Sequence, residues 1–98
     1  MSSAKNYYFK LFIAGMNSGS FRAIENVREI CDAYLSNDYE LEVIDIYQQR
    51  QLLKDMNIIA VPTLVRIIPE PEVRIIGDML DKNEIIKILE FEEKQKND

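Results

Sequence analysis

A chain of 98 residues has room for one hydrophobic core but not two, and with 47% apolar and 30% charged residues it has the make-up of a folded globule rather than of a disordered chain. A formal charge of −5 and a pI ≈ 4.7 exclude a broad basic surface, so neither nucleic acid nor an anionic membrane is expected as a partner. The absence of histidine removes the commonest general base and zinc ligand, and one cysteine cannot form an internal disulfide, which points to a reducing, cytoplasmic compartment.

The run Tyr7-Tyr8-Phe9-Lys10-Leu11-Phe12-Ile13 is dense in aromatic and branched residues and precedes the breaker-rich Gly15-Met16-Asn17-Ser18-Gly19, so it reads as a strand and loop. Lys10 interrupts it and its period of two suits a strand better than a signal peptide. Being almost wholly apolar, this strand is expected at the centre of a sheet. From Ser20 the period changes. Ile24, Val27, Cys31, Tyr34 and Leu35 recur three or four apart opposite Arg22, Glu25, Arg28, Glu29 and Asp32, which predicts an amphipathic helix with Ser18 or Ser20 as its N-cap. Asn37-Asp38 ends it, and Leu41–Ile46 returns to strand character.

Strand, long helix and strand make a βαβ unit whose strands are parallel. Gln48–Met56 carries Leu52, Leu53 and Met56 at helical spacing and predicts a short helix held by one narrow stripe. Thr63–Ile68 forms a third strand, with Pro62 tolerated at its entrance, and Pro69-Glu70-Pro71 leaves so short a link to Val73–Ile76 that only an antiparallel hairpin fits. Gly77 closes the fourth strand. Asp81 and Glu84 have the spacing of a capping box ahead of Ile85, Ile86, Ile88 and Leu89, so a third helix is expected, fraying in the polar stretch Glu92–Asp98. The order βαβαββα is that of a thioredoxin-like fold with a mixed four-stranded sheet; the alternative is a ferredoxin-like arrangement of the second half. The whole chain, 1–98, is expected to be one domain, with an ordered core over about 6–92 and a polar tail over 93–98. No apolar run approaches the ~20 residues of a membrane-spanning helix.

Catalytic chemistry finds little support. Cys31 falls in mid-helix on the apolar stripe, where a thiol is a packed core group rather than a nucleophile. A redox thioredoxin would carry C-x-x-C at the start of the first helix, and the matching stretch Met16-Asn17-Ser18-Gly19-Ser20 has no cysteine. Gly15-x-x-x-Gly19 lacks the spacing and the lysine of a phosphate loop. The 17 acidic residues show no metal-ligand spacing. No catalytic residue, cofactor or metal is therefore expected.

The chain resembles the circadian clock protein KaiB family through Lys10-Leu11-Phe12-Ile13-Ala14-Gly15 with Ser20-Phe21-Arg22-Ala23, through Leu41-Glu42-Val43-Ile44-Asp45-Ile46, and through Ala60-Val61-Pro62-Thr63-Leu64, Pro69-Glu70-Pro71 and Arg74-Ile75-Ile76-Gly77-Asp78, in order and without an evident gap. The resemblance implies a non-enzymatic regulatory protein that binds a KaiC-like, RecA-type ATPase and autokinase, self-associates as a dimer or tetramer, and has a second half able to pair in thioredoxin-like or in rearranged ferredoxin-like form. The setting it implies is a clock or stress adaptation. Pro62 is expected to be cis by analogy with thioredoxin-like proteins, and Pro62 and Gly77 to be structural. The residues expected to meet a partner are Gln48, Gln51, Asp55 and Asn57 on and beside the short helix, with Arg22 and Arg74 as charged contacts. A stand-alone, redox-inactive sensory or peptide-binding domain of the thioredoxin type is the alternative, with its groove beside Pro62.

Departures from the clock members' pattern are Arg50 for a proline, Glu42 for a lysine and Val73 for an arginine, with Ile88 and Glu90 where glycine and aspartate are typical. A helical glycine costs about 1 kcal/mol against alanine, and isoleucine costs less, so Ile88 favours the third helix and the thioredoxin-like state.

Overall fold

The computed structural model describes residues 4–91. Its elements run β1 (Tyr7–Ile13), α1 (Ser18–Leu35), β2 (Tyr39–Asp45), α2 (Gln51–Asp55), β3 (Thr63–Ile68), β4 (Val73–Ile76) and α3 (Lys82–Leu89). This is the βαβαββα order with a helix, not a strand, between Leu80 and Glu90. The sheet order is β2-β1-β3-β4, with β1 and β2 parallel and the other two pairings antiparallel, so the most apolar strand is central.

Alternation along the strands divides the core in two. Phe9, Leu11, Ile13 and Leu64 face Ala23, Val27, Ile30 and Cys31 of α1 and Ile85 and Leu89 of α3. On the other face Phe12, Ile44, Val65 and the loop residue Ile58 form a smaller cluster, against which Leu52, Leu53 and Met56 of α2 and its flank pack. The first cluster carries faces of α1, of 18 residues, and α3, of eight, whereas the second carries one helix of five residues, none of them fully buried.

Several boundaries differ from the expectation. The N-cap of α1 is Asn17, not Ser18 or Ser20. Its side chain accepts from the Ser20 N–H (3.0 Å), while the buried Ser20 hydroxyl donates inward to the Gly15 carbonyl (2.6 Å). Asparagine and serine cap equally well, and the inward pull on Ser20 decides between them. Strand β2 begins two residues earlier than expected because Tyr39 and Glu40 pair with Tyr7 and Tyr8. The short helix starts later than Gln48, because the Gln48 and Gln49 N–H groups both turn back to the Asp45 carbonyl. The fraying expected over Glu92–Asp98 and the tail over 93–98 lie outside the described residues.

At α3 the Asp81 carboxylate accepts from the Glu84 N–H (3.1 Å), the Asp81 half of the expected box. The helix closes with Glu90 in the left-handed region (φ 60°) and the Phe91 N–H on the Ile86 carbonyl (3.1 Å). Phe91 then stacks on Tyr34 (5.5 Å between centroids) and meets Tyr7 edge-on. A side chain at such a φ is strained, so Glu90→Gly is expected to stabilise the fold by about 0.5–1 kcal/mol. The check is the urea midpoint, which should rise; a fall would contradict this reading of the closure.

Candidate partner-binding surface

Element α2 is built for exposure. It follows a turn fixed by Asp45, whose Oδ1 accepts from the N–H groups of Gly15 and Tyr47 (3.0 Å each) and so ties the loops after β1 and β2 together. Only Leu52, Leu53 and Met56 turn toward the sheet, which leaves Gln48, Gln51 and Asp55 in solvent. Gln51 donates to Asp55 one turn on (3.1 Å). The C-terminus is a Schellman closure: Asn57 adopts φ 55°, its N–H reaches the Lys54 carbonyl (3.2 Å) and the Ile58 N–H reaches that of Leu53 (2.8 Å). Asn57 is thus at the one position here where its tolerance of the left-handed region is used.

Arg74 lies on β4 opposite Val65, on the face that α2 covers. Its guanidinium donates to the carbonyls of Met56 (2.6 Å) and Asn57 (3.0 Å) and pairs with Glu72 (2.6 Å). The structure therefore brings Gln48, Gln51, Asp55, Asn57 and Arg74 to one side of the molecule. Arg22 stands apart, exposed on the first turns of α1, which packs against the opposite face of the sheet.

A second feature lies at the end of the sheet where β1 and β2 finish and β3 begins. A shallow cleft of ≈ 230 Å³ is lined by Asn17, Gly19, Ser20, Val61, Pro62 and Asp78, among others. The Val61–Pro62 bond is cis, and the Pro62 carbonyl accepts from the N–H of Gly77, which sits at φ 149° where a Cβ is disfavoured. Gly15, at φ 77°, lies under the Tyr47 ring, so that a Cβ there would come within 3.3 Å of it.

Exposed apolar side chains at this end, Met16, Phe21, Tyr47 and Ile59, had no signal in the sequence, because a large apolar residue beside a strand or opening a helix looks like core. Ile59 is 86% exposed, far more than a core residue can be.

The cleft has the position of a thioredoxin active site without its chemistry. Ser20 spends its hydroxyl proton on a backbone carbonyl. The one thiol is elsewhere: Cys31 is buried in the α1 face, and burial, helped by the Asp32 charge, pushes it up to about 12. A thiol so held is protonated and inaccessible at neutral pH. Among the described residues no cluster of cysteine, aspartate or glutamate is placed to hold a metal, and no helix is long and apolar enough to cross a membrane.

Comparison with known proteins places these features in a family. The model of the KaiB domain matches residues 10–91. The circadian clock oscillator protein KaiB of Prochlorococcus marinus strain MIT 9312 is 41% identical over 86 residues, covering 88% of this chain and 82% of its own. That of Prochlorococcus marinus strain SARG is 40% identical over 100 residues, covering all of this chain and 86% of its own. Among solved structures, the N-terminal domain of Synechococcus elongatus SasA has a TM-score of 0.72 at 23% identity, covering 97% of this chain and 93% of that one. The Drosophila melanogaster thioredoxin Deadhead has 0.68 at 16%, covering 90% and 81%. These two likenesses establish the thioredoxin-like fold, and the sequence match across α1, α2 and the β3–β4 hairpin establishes that the chain belongs to the KaiB family.

Proposed function

We propose that this chain is a non-catalytic regulator that binds a KaiC-like, RecA-type ATPase and alters its phosphorylation or ATPase cycle, in a clock or in stress adaptation. The observation that carries this is the family match itself, which runs through residues 10–91 and so includes the exposed helix α2 and its flanks. A protein surface suits what α2 offers: side-chain amides with one carboxylate and the Lys54 ammonium on a short, closed helix, with no metal cluster beside them among the described residues. The same reading takes the protein to be cytoplasmic and to self-associate as a dimer or tetramer.

The contact is tested by charge. Gln51→Lys with Asp55→Lys leaves the packed side of α2 untouched and removes only the exposed Gln51–Asp55 hydrogen bond, so the fold should be kept and its stability should fall by no more than about 0.5–1 kcal/mol. Capture of a RecA-type ATPase should fall about tenfold or more, the loss expected when a rim carboxylate is reversed and a neutral amide beside it is made cationic. Undiminished capture would overturn the α2 face as the contact. A stand-alone sensory role is the second reading, favoured by the cleft beside Pro62; it requires that α2 substitutions have no effect and that changes at Asp78 do.

A further inference from the structure

Helix α2 is the least supported element of the fold. It has five residues, none fully buried, and no side chain caps its N-terminus, where Arg50 is already in helical conformation. A helix this short is not stable on its own propensity. Its Schellman closure satisfies the carbonyls of Leu53 and Lys54 and leaves those of Met56 and Asn57 pointing onward. Both are taken by one side chain from another element, Arg74 of β4, through Nη2 and Nη1, while its Nε is fixed by Glu72 two residues back along the chain.

We infer that Arg74 is a positioning residue for the partner-binding surface, an arginine fork that holds the end of α2 to the edge of the sheet and so orients Gln51 and Asp55 for a partner it does not itself touch. The partner half of this inference rests on the function proposed above. The geometry supports this over a role as a free charged contact: one N–H on each of the three guanidinium nitrogens already has a partner within the chain, at 2.6–3.0 Å, so the orientation of the side chain is set by the fold. The chemistry also makes the residue type specific. A lysine ammonium carries its three donors on one atom, whereas the two carbonyls and the carboxylate are met here by three separate nitrogens of a planar fork, so charge alone does not replace it. Because Arg74 reaches α2 from the β3–β4 hairpin, the exposed helix is held only while β4 is paired as it is here.

The test is amide hydrogen exchange on the wild-type chain, Arg74→Lys and Glu72→Gln. In Arg74→Lys the amides of Asn57 and Ile58 should exchange at least tenfold faster while those of Leu11 and Phe12 on the central strand keep their rates. Glu72→Gln, which removes only the anchor, should show about a threefold increase. Unchanged exchange at Asn57 and Ile58 in Arg74→Lys would overturn the inference. Capture of the RecA-type ATPase supplies the second arm. A roughly tenfold loss in Arg74→Lys alongside loosened α2 supports the positioning role. Loosened α2 with full capture, where Gln51→Lys/Asp55→Lys still abolishes it, overturns that role and leaves the α2 contact standing. Full capture by Gln51→Lys/Asp55→Lys overturns the contact itself, whatever the exchange shows.

Discussion

Phe12→Ala is expected to lower the unfolding free energy by about 3–5 kcal/mol, much of the ~5–15 kcal/mol that a domain of this size has. Phe12 is fully buried on the central strand, in register with Ile44 on one side and Thr63 on the other. Its cluster contains only three other buried apolar residues, Ile44, Ile58 and Val65. Truncation leaves a cavity that so few neighbours cannot close. Because Leu52, Leu53 and Met56 pack on the same cluster, the loss should also appear locally, as faster exchange throughout α2. Leu64→Ala, buried in the larger cluster on the other face, should cost about 2–5 kcal/mol without that local signature. Urea titration of both variants gives the first quantity and hydrogen exchange the second. A loss below about 1 kcal/mol for Phe12→Ala would contradict the two-face division of the core.

Alkali should unfold the protein earlier than its lysine and arginine content would suggest. Three acids titrate higher in the fold than in the unfolded chain. Cys31 is pushed from 9.0 up to about 12 by burial and then by Asp32. Tyr8 goes from 10.0 up to about 12 by burial and by its 2.5 Å hydrogen bond to Glu42. Tyr39 makes the same change by burial and by its 2.7 Å bond to Asp32. Between pH 9 and 12 the unfolded chain loses these protons while the fold keeps them, so the unfolded state binds fewer protons and stability falls as pH rises. The contribution is complete below pH 9. Above it, each group withheld from titration costs up to about 1.4 kcal/mol per pH unit, with the two partly exposed tyrosines contributing less than that limit. The melting temperature should therefore drop steeply between pH 9 and 11.5, and the drop should be shallower in Cys31→Ala and in Tyr8→Phe. A slope unaltered in both variants would contradict the assignment.

Much of this architecture is legible in the sequence because local patterns and tertiary packing agree. The apolar run Tyr7–Ile13 is central for the reason its composition suggests, and the three-and-four spacing of Val27, Cys31 and Tyr34 faces the sheet. What is not legible depends on contacts between distant residues. Ser20 and Asn17 are equal as caps until the Gly15 carbonyl draws the Ser20 hydroxyl inward. Arg74 looks like any exposed arginine of an edge strand, and its role appears only when carbonyls 17 and 18 residues away come within reach. The same holds for the surface. Gln48, Gln51 and Asp55 are recognisable as the polar side of a short helix, and nothing in their types separates them from Arg22, which the fold puts on the other side. The apolar rim formed by Met16, Phe21, Tyr47 and Ile59 escapes periodicity, because three of them sit in loops between elements and Phe21 lies in the opening turn of α1.

The regulatory account rests on a nucleotide-sensitive ATPase partner, and the most direct measurement is affinity capture from the native organism's lysate with the intact chain as bait, in ATP and in a non-hydrolysable analogue, read by mass spectrometry. The account predicts recovery of a RecA-type ATPase whose yield differs between the two nucleotides and falls with Gln51→Lys/Asp55→Lys. Recovery of no such ATPase in either nucleotide would contradict it and move attention to the cleft beside Pro62.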